Sequence, residues 1–498
     1  MATMEAQAPA ASSRRWVALF FIGLAQLMLI LDATVVNIAL PSIQRDLGIS
    51  DADRQWVITA YSLAFGSLLL LGGRIADSVG RKRTFLIALV GFTAASALGG
   101  AAQNAEMLLA ARALQGAFGA LLQPSALSLL SVTFTEQKDR AKAFGIWGGI
   151  TAAGGAIGLL AGGALTEYLD WRWCLYVNIP IAVVAAIGGY AILTDSRRED
   201  KARFDIPGVV LVTAGLVSIV YATSRAEADG WGSAKVTGLL AAGAVLLAAF
   251  FFVESRVRQP LLPLRVITDR TRGGAYFAVA LSVIGMFGAF LFMTYYLQVV
   301  KGYSPVKTGV GFLPMAVAVL VSAAGLTSRL MPKLPPRTLI VPGMLVCAAG
   351  MLWMQTLDPT TSYASGVLVA QLLLGLGSGL IMPPAMNYAT HGVAMNDMGV
   401  ASATVNTSQQ VGGSLGTALL NTIATSATAD YIASHGRTPA IAKQAVVEGF
   451  STAGAWAAGI IIVGALIVAA VMNTPRPQPA TAEDAKLIPE PNPLPAHP

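Results

Sequence analysis

Fourteen apolar stretches, each about 20 residues long, follow one another along this chain with little sequence between them. They fall at roughly 16–39, 54–73, 84–103, 106–130, 143–165, 173–194, 206–224, 235–254, 275–299, 308–330, 338–357, 364–386, 401–424 and 449–472. In hydrocarbon the backbone satisfies its N–H and C=O groups only internally, so a stretch of this length crosses a bilayer as a helix. The pattern predicts an all-α, polytopic membrane protein with 14 transmembrane helices. The charged share is 12%, about half that of soluble domains, and the mean hydropathy is +0.64. The 51 glycines suit close helix packing in a membrane.

The basic residues set the orientation. With the N-terminus in the cytoplasm, 23 of the 33 Lys and Arg fall on cytoplasmic segments, nine fall outside, and Arg112 lies within a span. That bias places both termini in the cytoplasm and requires an even number of spans. The same scatter argues against nucleic acid as the partner of a chain with pI about 9.4, since the basic residues form no continuous patch. Arg14 and Arg15 precede the first span without a small-residue cleavage site after it, so the span reads as a retained helix. Cys174 and Cys347 lie far apart in apolar segments with no metal-type spacing, and His391, His435 and His497 fall in loops or the tail. No metal or cofactor is expected.

The chain also repeats itself. Gly73 to Arg81 closes span 2, and Gly325 to Lys333 closes span 10 about 252 positions later; Gly116 and Pro124 of span 4 align with Gly375 and Pro383 of span 12, and Arg112 then falls opposite Gln371. The expected organisation is a disordered N-terminus over 1–15, a six-helix half over 16–194, an inserted helix pair with linkers over 195–274, a second six-helix half over 275–473, and a disordered tail over 474–498.

Two charges stand alone inside spans: Asp32 in span 1 and Arg112 in span 4. A charge at membrane depth is costly and is rarely kept without a partner, a water-filled cavity or a task. Asp32 lies nine residues before Pro41, about 13 Å deep, and Arg112 lies six to nine residues into span 4, about 9–13 Å deep. The two are therefore at one level. A neighbouring cation favours a carboxylate while burial favours the neutral acid, which suits a group that takes up and releases a proton as water access changes. The plainer alternative is a static buried pair that fixes helix packing. Asp205, Glu254 and Glu448 lie at span ends and read as interfacial.

The run Leu31 to Pro41 (LDATVVNIALP), the loop residues Gly73, Asp77, Gly80, Arg81 and Lys82, and the span 4 residues Arg112, Gln115, Gly116 and Gly119 resemble the major facilitator superfamily. The resemblance is closest to its fourteen-helix drug:proton antiporters, the QacA- and EmrB-like group, and covers nearly the whole chain. It implies proton coupling at Asp32 and Arg112, and a conformational latch at Gly73, Asp77, Gly80, Arg81 and Lys82, with Asp77 facing the start of span 13. The group's span 5 signature matches at Gly145, Gly154, Gly158, Gly162 and Gly163, but Leu159 stands where the pattern has a proline. The glycine row keeps close packing without a proline kink.

Amides, hydroxyls and aromatics are expected to line a cavity for amphipathic molecules: Thr34, Asn37 and Gln115 from the first half, and Phe287, Phe290, Tyr295, Gln298, Asn387, Asn406 and Gln409 from the second. Each aromatic also suits a lipid-facing or packing position. The reading is a non-enzymatic monomer in the cell membrane that exports amphipathic small molecules in exchange for protons. Its rivals are proton-coupled nutrient uptake on the same fold and a membrane-embedded enzyme or sensor. The second lacks any nucleotide motif, metal-binding histidine pair or soluble domain in the sequence.

Overall fold

The computed structural model describes residues 9–51, 53–134, 136–194, 205–257, 260–390, 393, 398–436 and 438–472, which contain helices and no strand. The first six long helices are α1 (Pro9–Leu47), α2 (Trp56–Val79), α3 (Arg81–Gly100), α4 (Ala105–Thr133), α5 (Gln137–Tyr168) and α6 (Trp173–Ile192). A pair follows, α7 (Ile206–Asp229) and α8 (Ala234–Glu254). The last six are α9 (Arg270–Val300), α10 (Pro305–Leu330), α11 (Arg337–Thr356), α12 (Tyr363–Ala389), α13 (Met398–His435) and α14 (Pro439–Val471). Thirteen of them are long and apolar enough to cross a membrane. The exception is α13, which has the length but is rich in Ser, Thr, Asn and Gln. It is polar because it sits inside the bundle, with Asn421, Thr422 and Thr417 buried.

Local chemistry sets the helix ends. Asn104, Asp205, Ser233, Asp269, Ser304 and Thr438 each accept a backbone N–H of the first turn of the helix they precede. Glycines set the close crossings. A Cβ on Gly72 would lie 1.9 Å from Ala120 O, and one on Gly116 would lie 2.2 Å from Tyr61 O, so α2 and α4 touch backbone to backbone. The second helix set repeats the device: a Cβ on Gly375 would lie 2.6 Å from Met315 O of α10. Gln371, the counterpart of Arg112 in the repeat, is fully buried.

The described chain starts and finishes on one face of the bundle, the terminal face; the α1–α2 turn lies on the opposite, turn face. One hydrophobic core runs from Val35–Ile43 of α1 into α9, α10, α11, α12 and α14 and so joins the two sets towards the turn face. A second core, built on Ile22, Met28, Phe65, Phe92 and Leu122, draws its buried residues from the first set alone. On the terminal-face half of α5, the Cβ positions of Gly145, Gly148 and Gly149 meet no atom within 4 Å. The sets are therefore closed together at the turn face.

Helices α7 and α8 pack on each other, and α7 lies over the seam between the sets. Its Leu216 and Val220 cluster with Leu63 of α2 and Ala418 of α13, and Thr422 Oγ1 donates to Thr223 O at 2.9 Å.

Candidate functional site

The two isolated charges meet. Arg112 Nη1 donates to Asp32 Oδ2 at 2.6 Å, with Asp32 0% and Arg112 1% exposed. The pair is embedded in a set of neutral partners. Asp32 Oδ1 accepts from Gln115 Nε2 at 2.9 Å and from Asn178 Nδ2 at 2.8 Å. Both amides also donate to Ser96 Oγ, at 2.7 and 3.3 Å. Arg112 Nη1 donates to Gln115 Oε1 at 2.8 Å, Arg112 Nε donates to Val57 O at 3.0 Å, and the guanidinium carbon lies 4.4 Å from the centre of the Tyr61 ring. Five helices of the first set, α1, α2, α3, α4 and α6, thus meet in one cluster around the ion pair. A buried ion pair is tolerable only when further hydrogen bonds serve its remaining lone pairs and protons, and here they do. Losing the carboxylate charge would not strand Arg112, because Gln115 Oε1, Val57 O and the Tyr61 face remain.

Of the residues expected to line a cavity, Gln115 belongs to this charge cluster. Thr34 turns back onto Ile30 O and Leu31 O at 2.9 and 3.1 Å and packs against Gly158, where a Cβ would lie 1.8 Å from its hydroxyl. Asn37 donates to Ala33 O of its own helix at 3.1 Å. Phe290 stacks on Phe312 with ring centres 4.9 Å apart, and Phe287 covers Gly413. Asn387 is exposed near the terminal-face end of α12. Between the sets at mid-depth, Gln123 Nε2 reaches Asn406 Oδ1 at 3.4 Å, Thr407 Oγ1 reaches Gly66 O at 3.3 Å, and Gln409 Nε2 faces the Met382 sulfur at 3.7 Å. Gln26, on α1, donates to Thr151 of α5 at 3.3 Å. These mid-depth contacts are made by amides, hydroxyls and one thioether.

Tyr295 and Gln298 serve the turn-face closure. Gln298 Nε2 donates to Ile38 O across the sets at 2.9 Å, and the Tyr295 hydroxyl donates to Gln44. Above them Arg54, at the outer edge of span 2 in the sequence reading, is only 5% exposed. Its Nε donates to Asn421 Oδ1 of α13 at 3.0 Å, its guanidinium lies 4.0 Å over the Tyr295 ring, and Asp51 pairs with it at 3.2 Å. The glycine row of α5 completes the closure. Gly154, Gly158 and Gly162 pack on α1, whereas a Cβ on Gly163 would meet Pro305 O of α10 at 2.7 Å and a Cβ on Gly309 would meet Leu159 O at 2.4 Å. Helices α5 and α10 therefore touch from both sides, and Leu159 leaves α5 an unbroken helix. Gly145 has no such contact.

In the segment expected to be a latch, Gly80 breaks the chain between α2 and α3 at φ 112° and ψ 135°, a conformation suited to glycine. Lys82 Nζ donates to Tyr190 O at 2.7 Å. The side chain of Asp77 and residues 394–397 before α13 lie outside the described residues, so the expected Asp77 contact does too. Gly73 makes only an ordinary contact, its Cβ position 3.8 Å from Pro124 Cβ; the tight crossing belongs to Gly72. We expect Gly73→Ala to be tolerated and Gly80→Val to cost about 1–3 kcal/mol through backbone strain. Thermal unfolding of the two variants in detergent would check this, and equal losses would contradict it.

Sequence reasoning gave no site role to Ser96, Asn178, Tyr61 and Arg54. Asn178 carried a signal, being an amide inside an apolar span; Ser96 and Tyr61 carried none.

Residues 22–417 match the family model described as Major Facilitator Superfamily. The chain is 53% identical over 456 residues to the puromycin resistance protein pur8 of Streptomyces alboniger, covering 91% of this chain and 90% of that one. It is 39% identical to the cephamycin export protein CmcT of Amycolatopsis lactamdurans, covering 81% and 84%. It is 34% identical to the multidrug efflux pump LfrA of Mycolicibacterium smegmatis, covering 83% and 81%. Among solved structures, a bacterial homolog of the human lysosomal transporter Spinster, inward-facing and unoccupied, superposes with a TM-score of 0.64 at 15% identity, covering 92% and 97%. An auto-inhibited peptide transporter of the POT family gives 0.65 at 16%, covering 93% and 99%. At these identities the structures share the fold.

Proposed function

The chain belongs to the Major Facilitator Superfamily, and from that premise we propose that it exchanges protons, taken up at Asp32, for amphipathic small molecules by alternating access. It is a multi-pass membrane transporter for small-molecule efflux and not an enzyme. The observation that carries proton coupling is the closed shell around Asp32: a carboxylate with no exposure, held by one cation and two amides, every partner from the first helix set. Protonation would release Arg112 to its other acceptors, and the contacts along α1 that tie Asp32 to the turn-face closure would shift with it. Substrate and proton then bias one equilibrium between two rocking states. The direct test is a purified, detergent-solubilised sample in weak buffer. Substrate addition should release protons, and no release in the wild-type protein would remove the proposal.

In this reading the terminal face, both termini included, is cytoplasmic, which the 23 to nine bias of basic residues supports. The closed turn face is external, and the inner amide-lined space opens inward. One chain supplies every group of the charge cluster, which supports a monomer in the cell membrane as the transport unit. The segment Gly73, Asp77, Gly80, Arg81 and Lys82 acts as the inner latch. Uptake by symport is disfavoured by the relatives, which are named for resistance or export.

Substrate charge follows from the lining. Gln26, Gln123, Asn406, Thr407 and Gln409 offer dipoles, and Asp32 is already paired with Arg112. A dication would leave a second charge unpaired in an apolar site. Neutral and singly charged aromatic compounds are the expected substrates, with puromycin, from the name of the 53% identical relative, the first to assay. A monocationic dye should leave loaded vesicles faster than a dicationic analogue of similar size; equal or faster efflux of the dication would overturn this.

A further inference from the structure

Two carboxyl groups outside the coupling site face each other without a donor between them. Asp205 precedes α7 and Glu254 ends α8, so the inserted pair brings them together at the terminal face. The sequence reads both as interfacial, yet they are 6% and 3% exposed. Each has one oxygen in use. Asp205 Oδ1 accepts from Gly208 N at 3.0 Å, and Glu254 Oε2 accepts from Leu262 N at 2.9 Å. The other two oxygens, Asp205 Oδ2 and Glu254 Oε1, have no hydrogen-bond donor. They converge on one point: a Cβ on Gly208 would lie 2.3 Å from the first and 2.8 Å from the second. Glycine at 208 is what lets them approach.

Among the described residues neither carboxyl has an ion-pair partner. The described basic side chains on the neighbouring segments are engaged elsewhere. Arg74 of α2 donates to Pro260 O, Arg256 lies over the Phe252 ring at 5.1 Å, and Arg272 donates to Val266 O at 3.1 Å and Arg265 O at 3.2 Å. From α13, the element of the second set against α7, the side chains that cluster with Val212 and Leu216 of α7 are the apolar Val411 and Leu415. Two buried carboxylates facing each other with no cation repel and are poorly solvated, whereas one proton between them makes a charge-assisted O–H···O⁻ bond.

We infer that Asp205 and Glu254 form a second proton-binding site, a carboxyl pair that shares one proton and clamps the start of α7 to the end of α8. The clamp reaches the transport machinery. Glu254 holds Leu262, and Arg74, in the segment expected to be the inner latch, holds Pro260 of the same connection. With the proton bound, the connection is seated on α2. As pH rises through the pair's titration the proton leaves, the two charges repel, and the seat on Arg74 loosens. That cytoplasmic pH is the one sensed rests on the orientation proposed above; proton binding by the pair does not.

The test uses the full chain in detergent without substrate or gradient. Dicyclohexylcarbodiimide reacts with protonated carboxyls in apolar surroundings, and mass spectrometry locates the adduct. An adduct on Asp205 or Glu254 that fades as pH is raised is expected, and hydrogen exchange at 260–264, corrected for intrinsic pH dependence, should step up over the same range. Glu254→Gln and Asp205→Asn place an amide donor between the oxygens and keep both backbone contacts. They should hold exchange at the low-pH level throughout, whereas Glu254→Ala should be fast at every pH. No adduct at any pH, or a step that survives unchanged in Glu254→Gln, would overturn the inference. Asp32→Asn should leave adduct and step intact, so failure of the coupling proposal and failure of this one are separate results.

Discussion

Under an imposed proton gradient, Asp32→Asn protein in proteoliposomes is expected to move substrate no faster than protein-free vesicles, while still binding it. Asparagine keeps an acceptor for Gln115 and Asn178 but cannot release a proton. Its amide would face Arg112 Nη1, donor against donor, at a position now 2.6 Å from Asp32 Oδ2. Arg112 retains Gln115 Oε1, Val57 O and the Tyr61 ring, so the fold and the substrate site should survive. Arg112→Ala is expected to be more damaging to stability. It leaves a fully buried carboxylate with only neutral donors, and breaking a buried pair from one side costs about 3–5 kcal/mol. The unfolding temperature in detergent should therefore fall further for Arg112→Ala than for Asp32→Asn. Gradient-driven efflux by Asp32→Asn at the wild-type rate would show that the proton enters elsewhere.

The second large effect is expected where α5 meets α10. Any side chain at Gly163 must displace the backbone of Pro305 and Val306, which lie 2.7 and 2.8 Å from its Cβ position. Overpacking of this kind costs about 1–3 kcal/mol, and here it falls on the closed state alone, because the contact exists only when the two helix sets meet at the turn face. A penalty of that size shifts the equilibrium about 5–150-fold towards a turn face that is open. Gly163→Val should therefore raise the labelling of Asn37→Cys by an impermeant maleimide added from the turn-face side and reduce transport. Asn37 suits the probe because its side chain bonds only within α1. Gly145→Ala is the control: its Cβ position meets nothing within 4 Å, so it should neither open the turn face nor slow transport. Unchanged labelling in Gly163→Val would mean that the α5–α10 contact does not govern closure.

Much of the fold was legible because bilayer thickness converts composition into geometry. A stretch of about 20 apolar residues spans the hydrocarbon whatever its neighbours are. Helix α13, read from the sequence as the span at 401–424, is less apolar than the other thirteen for a tertiary reason: it packs between α2, α7 and α9 inside the bundle. The glycine row of α5 was legible as packing, but that Gly154, Gly158 and Gly162 face α1 while Gly163 reaches across to α10 was not. Neighbouring residues on a helix point about 100° apart, and sequence does not say which helix stands in each direction.

What the sequence determined by itself was the membrane class, the repeat and the shared depth of Asp32 and Arg112. Helix rise is a constant, so position along a span is position across the membrane. The tertiary structure alone decided the azimuth, and with it the chemistry. It turned Gln115, Asn178 and Ser96 onto Asp32, took Thr34 and Tyr295 into packing contacts, and buried Arg54 against Asn421. It also brought Asp205 and Glu254, 49 positions apart, into one carboxyl pair. Those partners come from helices far apart in the chain, and only packing chooses them.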